Sequence, residues 1–144
     1  TYRSAFHWLL SGRSEEELRK QILEGYSMHI YAEKFFTSAI VGGHVPIAVG
    51  VALALKRKNA KNRVICFLGD MAAETGIFHE SVKYSKRQDL PIVFVIEDNS
   101  FSVKTKTQDV WGHSDRYNLI RYQYDRVYNH AGCAKVGESI FVLF

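Results

Sequence analysis

The sequence predicts a three-layer α/β domain, a mainly parallel sheet with helices on both faces. Two short apolar runs, residues 63–68 and 91–96, read as buried strands. Residues 74–86 between them have a helical pattern, and so do residues 46–58 just ahead. Helix, strand, helix, strand in that order argues parallel strands joined by crossovers.

Each element has its own signals. Residues 14–24 form a helix, because Ser14 and Glu17 make a capping box, the first turn is acidic and Gly25 stops it. Residues 26–36 lack a clean period and read as loop or extended chain. The helix at 46–58 begins on Pro46, runs through small and aliphatic residues and ends in Lys56-Arg57-Lys58, which suits its dipole. Its Ala48, Gly50, Ala52 and Ala54 let it lie close to a neighbour. The first strand run ends in Gly69-Asp70 and the second leads into Glu97-Asp98-Asn99. In the last third, Tyr117, Tyr122, Tyr124 and Tyr128 sit among Arg and Asp as an irregular surface, and residues 138–144 read as a final strand.

A chain of 144 residues has room for one domain with one core, so residues 1–144 are taken as a single unit. Its apolar content of 47% and charged content of 24% are those of a soluble globular protein. No run reaches the roughly 18 uncharged apolar residues of a membrane helix, and the first residues do not follow the charged, apolar, small-residue order of a signal peptide. Thr1-Tyr2-Arg3 does not look like a natural start, and a truncated or split polypeptide is expected. The net charge of +4 is modest, and its basic clusters read as solvated helix ends, with a phosphate-bearing ligand as the sharper alternative. No nucleic-acid module accompanies the tyrosines. Cys66 and Cys133 give neither a disulfide framework nor metal spacing, and a reduced, cytoplasmic setting is expected, with the mitochondrial matrix as alternative.

Ligands of an open parallel sheet gather where strands end and loops begin. Asp70 and Asn99 stand at two such ends, 29 positions apart (99 minus 70), room for one helix and one strand. A carboxylate and an amide oxygen are hard donors that suit magnesium, which keeps open positions for phosphate oxygens and water. The helix after Asp70 can turn its N-terminal amides toward a diphosphate. Against this stands the blander reading, in which an Asp between strand and helix is a cap or a turn.

Gly69-Asp70 with Glu97-Asp98-Asn99 resembles the two ends of the thiamine diphosphate motif. The resemblance extends to Ser27-Met28-His29-Ile30-Tyr31, to the stretch 39–50, to Phe78-His79-Glu80, to Leu90-Pro91-Ile92-Val93-Phe94 and to the segment 2–12. Over residues 1–108 the chain resembles the alpha subunits of thiamine diphosphate-dependent 2-oxo acid dehydrogenases, in the transketolase-like superfamily, and so implies their thiamine diphosphate-binding fold. The resemblance implies that Asp70 and Asn99 bind magnesium through side chains and Phe101 through its carbonyl. Gly69, Asp70, Met71, Ala72 and Asn99 would meet the cofactor diphosphate region, and Ala39 and Val41 its aminopyrimidine. His29 is the candidate catalytic residue, with a hydrogen-bonded structural histidine as the equal alternative. The catalytic glutamate would come from a beta-like, pyrimidine-binding partner subunit in a hetero-oligomer. The implied reaction is decarboxylation of a small 2-oxo acid with transfer of the acyl or aldehyde unit. A split transketolase-like enzyme moving a two-carbon ketol unit and a non-catalytic cofactor-binding subunit are the alternatives.

The chain departs from the family pattern at named places. Met71 stands where the motif has its second glycine, and would be strained by about 1 kcal/mol or more if φ there were positive. Asp98 replaces the first Asn of the closing pair. No counterpart of the family's later His-bearing loop is found between Trp111 and Phe144. Among the other histidines, His44 is read as cofactor-near or as capping or packing, His79 as a packing or surface residue, and His7 as structural, although the resemblance implies an active-site His within its segment. No His spacing suggests zinc, and no nucleophile elbow is present.

Overall fold

A computed structural model describes residues 4–26, 29–112 and 117–125. In chain order it has α1 (Ser4–Leu10), α2 (Glu15–Leu23), β1 (Tyr31–Ala32), β2 (Phe35–Phe36), α3 (His44–Arg57), β3 (Val64–Gly69), a 3-10 turn (Ala72–Glu74), α4 (Gly76–Arg87), β4 (Ile92–Asp98), β5 (Phe101–Ser102), β6 (Thr105–Lys106), α5 (Thr107–Trp111) and β7 (Ile120–Gln123). The sequence-predicted strand at 138–144, with Tyr128 and Cys133, lies outside the described residues.

The local signals act as expected. Ser14 caps α2, its hydroxyl accepting from Glu17 N–H at 3.3 Å, and Gly25 follows the helix at φ +87°. Helix α3 starts two residues before Pro46, which still falls in the first turn, where a missing N–H leaves no gap. The stretch 26–36, expected as loop or extended chain, contains the two-residue strands β1 and β2, paired around Lys34 at φ 61°.

The central sheet has the order β3-β4-β7, and both pairings are parallel. Paired residues share a face, so Cys66 with Phe94 and Leu68 with Ile96 point one way. There they meet Val45, Val49 and Ala52 of α3 and Phe78 and Val82 of α4, all buried in the main core. Phe78 sets its ring edge-on to Phe94 at 5.5 Å between centroids. The opposite face carries Phe67 and Val95, and α1 reaches it through His7, whose ring stacks on Phe67 at 4.5 Å. Helices therefore flank a parallel sheet, as the sequence predicts. Trp8, Leu18 and Ile30 form a smaller cluster under α1 and α2.

One expectation is corrected. The tyrosine-rich stretch is not wholly irregular, since Ile120–Gln123 adds a third parallel strand beside β4. None of its four residues is buried, so it lacks the apolar run that marks β3 and β4.

Candidate functional site

Register brings the two motif ends together. Gly69 pairs with Glu97, so Asp70 and Asp98 follow side by side at the C-terminal edge of the sheet. Asp70 and Asn99 are buried to 3% and 8% relative exposure. Burial holds the Asp70 carboxyl above its ordinary pKa. The Asp98 charge pushes the same way, while hydrogen bonds from Thr107 and from two backbone amides oppose it. A buried carboxylate kept from water is a group that gains from a nearby cation.

Asp98 is engaged on both carboxylate oxygens. Arg121 donates to its Oδ2 at 2.6 Å, and Ser100 N–H to its Oδ1 at 2.9 Å. Asn99 sits in a tight turn in which its Oδ1 accepts from Phe101 N–H at 3.1 Å. That turn keeps the Phe101 backbone beside the Asn99 amide. The donors assembled here are hard oxygens. Among the described residues there is no cluster of three or more His, Cys, Asp and Glu that could hold a metal, so a softer all-protein cage is not an alternative there.

Past Asp70 the chain turns at once. Ala73 N–H donates to Asp70 C=O at 3.1 Å and Glu74 N–H to Met71 C=O at 3.2 Å, which places the Met71 and Ala72 amides ahead of the first bond of the turn. Met71 has φ −64° and ψ −36°, ordinary right-handed backbone. The strain considered for a side chain at this motif position does not arise. Its sulfur accepts from Trp111 Nε1 at 3.1 Å, a contact glycine could not make.

The loop carrying Ala39 and Val41 joins this region through Gly42. Gly42 has φ +72°, and a Cβ there would stand 2.9 Å from Ile77 Cγ2 and 3.3 Å from Thr75 Oγ1. The loop thus lies on the N-terminus of α4, with Ala39 and Val41 exposed. His29 stands three residues after Tyr26, beyond the tight turn that closes α2. It is exposed, its N–H donates to Tyr26 C=O at 2.8 Å, and no hydrogen bond among the described residues links its side chain to Asp70 or Asn99. The preceding Ser27 and Met28 lie outside the described residues.

Four participants were not read from the sequence. Thr107 bonds Asp70, Tyr124 bonds Asn99, Arg121 pairs with Asp98, and His7 Nε2 meets Glu97 Oε1 at 2.8 Å. His44 is the first residue of α3, and its Nε2 bonds Phe67 C=O at 2.8 Å, while its Nδ1 is buried without a partner among the described residues. Burial lowers the His44 pKa, against the opposing pull of the Phe67 bond. A folded pKa below the unfolded one gives stability that is present above the unfolded value and lost as pH falls through the folded one. The His44→Gln variant keeps a donor for Phe67. It is expected to flatten the loss of stability between about pH 7 and pH 5, a slope of at most about 1.4 kcal/mol per pH unit for one proton. Denaturant midpoints across that range check this, and equal slopes in both proteins would refute it.

A parallel sheet whose strand ends gather a buried carboxylate, an amide and a helix start defines an α/β protein with its candidate ligand site at that edge. The family model described as "Dehydrogenase E1 component" matches residues 1–118, and the chain belongs to that family. A probable mitochondrial pyruvate dehydrogenase E1 component subunit alpha of Caenorhabditis elegans is 40% identical over 100 residues, covering 69% of this chain and 25% of that protein. A pyruvate dehydrogenase E1 component subunit alpha of Rickettsia typhi is 28% identical over 143 residues, covering 87% and 44%. The alpha subunit of an acetoin:2,6-dichlorophenolindophenol oxidoreductase of Bacillus subtilis is 42% identical over 85 residues, covering 57% and 26%. The chain therefore spans a quarter to less than half of the length of these relatives.

Proposed function

We propose that the chain is the diphosphate- and magnesium-binding, alpha-like subunit of a thiamine diphosphate-dependent enzyme that decarboxylates a 2-oxo acid and passes on the acyl or aldehyde unit. The observation that carries the reading is the convergence of two buried oxygen donors, Asp70 and Asn99, beside the Met71–Ala72 amides. When bound, thiamine diphosphate supplies a carbon nucleophile and an electron sink. The work left to this chain is binding and orientation. The Asp70 carboxylate, the Asn99 amide oxygen and the Phe101 carbonyl hold magnesium, and the Met71 and Ala72 amides meet the diphosphate. Backbone atoms of Ala39 and Val41 face the aminopyrimidine, braced on α4 through Gly42.

The names of the relatives, two of them pyruvate dehydrogenase alpha subunits and one an acetoin oxidoreductase alpha subunit, favour this reading over a ketol-transferring one. An alpha subunit implies a partner, here a beta-like subunit bringing the catalytic glutamate, and activity only in that hetero-oligomer. His29 remains the candidate for proton transfer there. A cytoplasmic setting is kept, with the mitochondrial matrix as alternative, since the name of the nematode relative places it in mitochondria. No helix among the described residues is long and apolar enough to cross a membrane.

Calorimetric titration of the assembled protein with thiamine diphosphate tests the central claim. Saturable binding that requires magnesium is expected, and binding that is absent or indifferent to magnesium sinks it. Turnover of a 2-oxo acid with the partner chain is expected as well, and turnover of a ketose phosphate alone would reassign the substrate.

A further inference from the structure

Asp70 and Asn99 are each held by a side chain that arrives from later in the sequence. The Thr107 hydroxyl donates to Asp70 Oδ2, while the Thr107 N–H donates to Ser100 C=O at 3.0 Å. Thr107 thereby ties the turn after β4 to the residue that follows β3. Asn99 Nδ2 donates to the Tyr124 hydroxyl at 3.1 Å. Tyr124 is itself fixed, its N–H donating to Asp98 C=O at 2.9 Å and its ring stacked with Tyr122 at 5.7 Å.

We infer that Thr107 and Tyr124 are positioning residues, setting the rotation of the Asp70 carboxylate and of the Asn99 amide toward a divalent cation. The inference rests on the metal–diphosphate reading above. A terminal carboxylate or amide torsion is broad and roughly two-fold, so a ligand on it needs an outside partner to fix its plane. For Asn99 the need is sharper. A turned-over amide presents its NH₂ group to the cation, and NH₂ has no lone pair to give. The Tyr124 hydroxyl claims Nδ2 and leaves Oδ1 on the Phe101 side. For Asp70, the Thr107 hydroxyl claims one oxygen and fixes the carboxylate plane. Neither residue need touch the cation, since partners of metal ligands act through the ligand they orient.

The experiment measures the magnesium concentration for half-saturation in the assembled protein, by calorimetry at saturating thiamine diphosphate. Thr107→Val and Tyr124→Phe are each expected to need about 10- to 100-fold more magnesium, the range seen when such outer partners are removed. Thr107→Ser keeps the hydroxyl and is expected to titrate near wild type. Tyr122→Phe leaves the Asn99 partner in place and is expected to be unchanged. Circular dichroism confirms that each variant is folded, and if Thr107→Val is not, Tyr124→Phe against Tyr122→Phe decides. Unchanged magnesium curves for Thr107→Val and Tyr124→Phe overturn the inference. So does equal weakening by Thr107→Val and Thr107→Ser, which marks a packing role. A wild-type curve without magnesium dependence overturns the underlying reading instead, and is seen before any variant is made.

Discussion

Asp70→Asn is expected to abolish magnesium-dependent diphosphate binding without weakening the ligand-free fold. The two halves of that result separate a functional carboxylate from a structural one. Removing even the outer partners of a metal site weakens binding by about 10- to 100-fold, so removing the one charged ligand is expected to exceed about a hundredfold. The ligand-free protein behaves differently. Its Asp70 carboxyl has a folded pKa raised by burial. A raised folded pKa contributes stability that is complete below the unfolded value and lost as pH rises through the folded one. At neutral pH the ionised Asp70 is therefore a burden on the empty fold. Asparagine removes the charge, and the Thr107 hydroxyl can donate to its oxygen or accept from its nitrogen. Denaturant midpoints near pH 7 are expected to be equal or higher in the variant, with any advantage shrinking toward pH 4. Magnesium and thiamine diphosphate at about a hundred times their Kd are expected to stabilise wild type by about 2.7 kcal/mol and the variant hardly at all. A variant that loses several kcal/mol when empty would show that Asp70 is a cap or turn residue, the blander reading of a carboxylate between strand and helix.

What was legible in the sequence was local. Gly69-Asp70 and Asp98-Asn99 could be found because each ends an apolar run, and Ser14 because its partner Glu17 is three residues away. The side chains that fix the site are invisible to any local pattern. Thr107 lies 37 residues from Asp70, Tyr124 lies 25 from Asn99 and His7 lies 90 from Glu97. Strand β7 escaped notice for a related reason. Its neighbour β4 supplies the hydrogen bonds, but no burial stamps an apolar period on Ile120–Gln123. Helix α1 has only Ser4 and Trp8 buried, with Phe6, Leu9 and Leu10 exposed, so its pattern reads as neither helix nor strand. The doubt about Met71 could be stated from the sequence but answered only by a backbone angle.

Gly42→Ala is expected to damage fold and site together. The left-handed φ of +72° makes a side chain unfavourable by about 1–2 kcal/mol before any contact is counted. The new methyl then meets Ile77 Cγ2 at 2.9 Å and Thr75 Oγ1 at 3.3 Å. Overpacking of this kind costs about 1–3 kcal/mol where neighbours cannot move. Ile77 is in the first turn of α4 and Thr75 is its N-cap, bonded to Ala72 C=O at 2.7 Å, so yielding there disturbs the turn that carries the Met71 and Ala72 amides. The alternative is for the loop to lift away, taking Ala39 and Val41 with it. Either route is expected to lower the denaturant stability by about 2–4 kcal/mol and to weaken thiamine diphosphate binding beyond that loss. Gly50→Ala is the matched control. Gly50 lies within α3, and a methyl added there would find no atom within 4 Å, so alanine is expected to stabilise the helix by about 0.5–1 kcal/mol. If Gly42→Ala binds the cofactor as wild type once folded, the loop at 39–43 is a structural connection and its place in the site is lost.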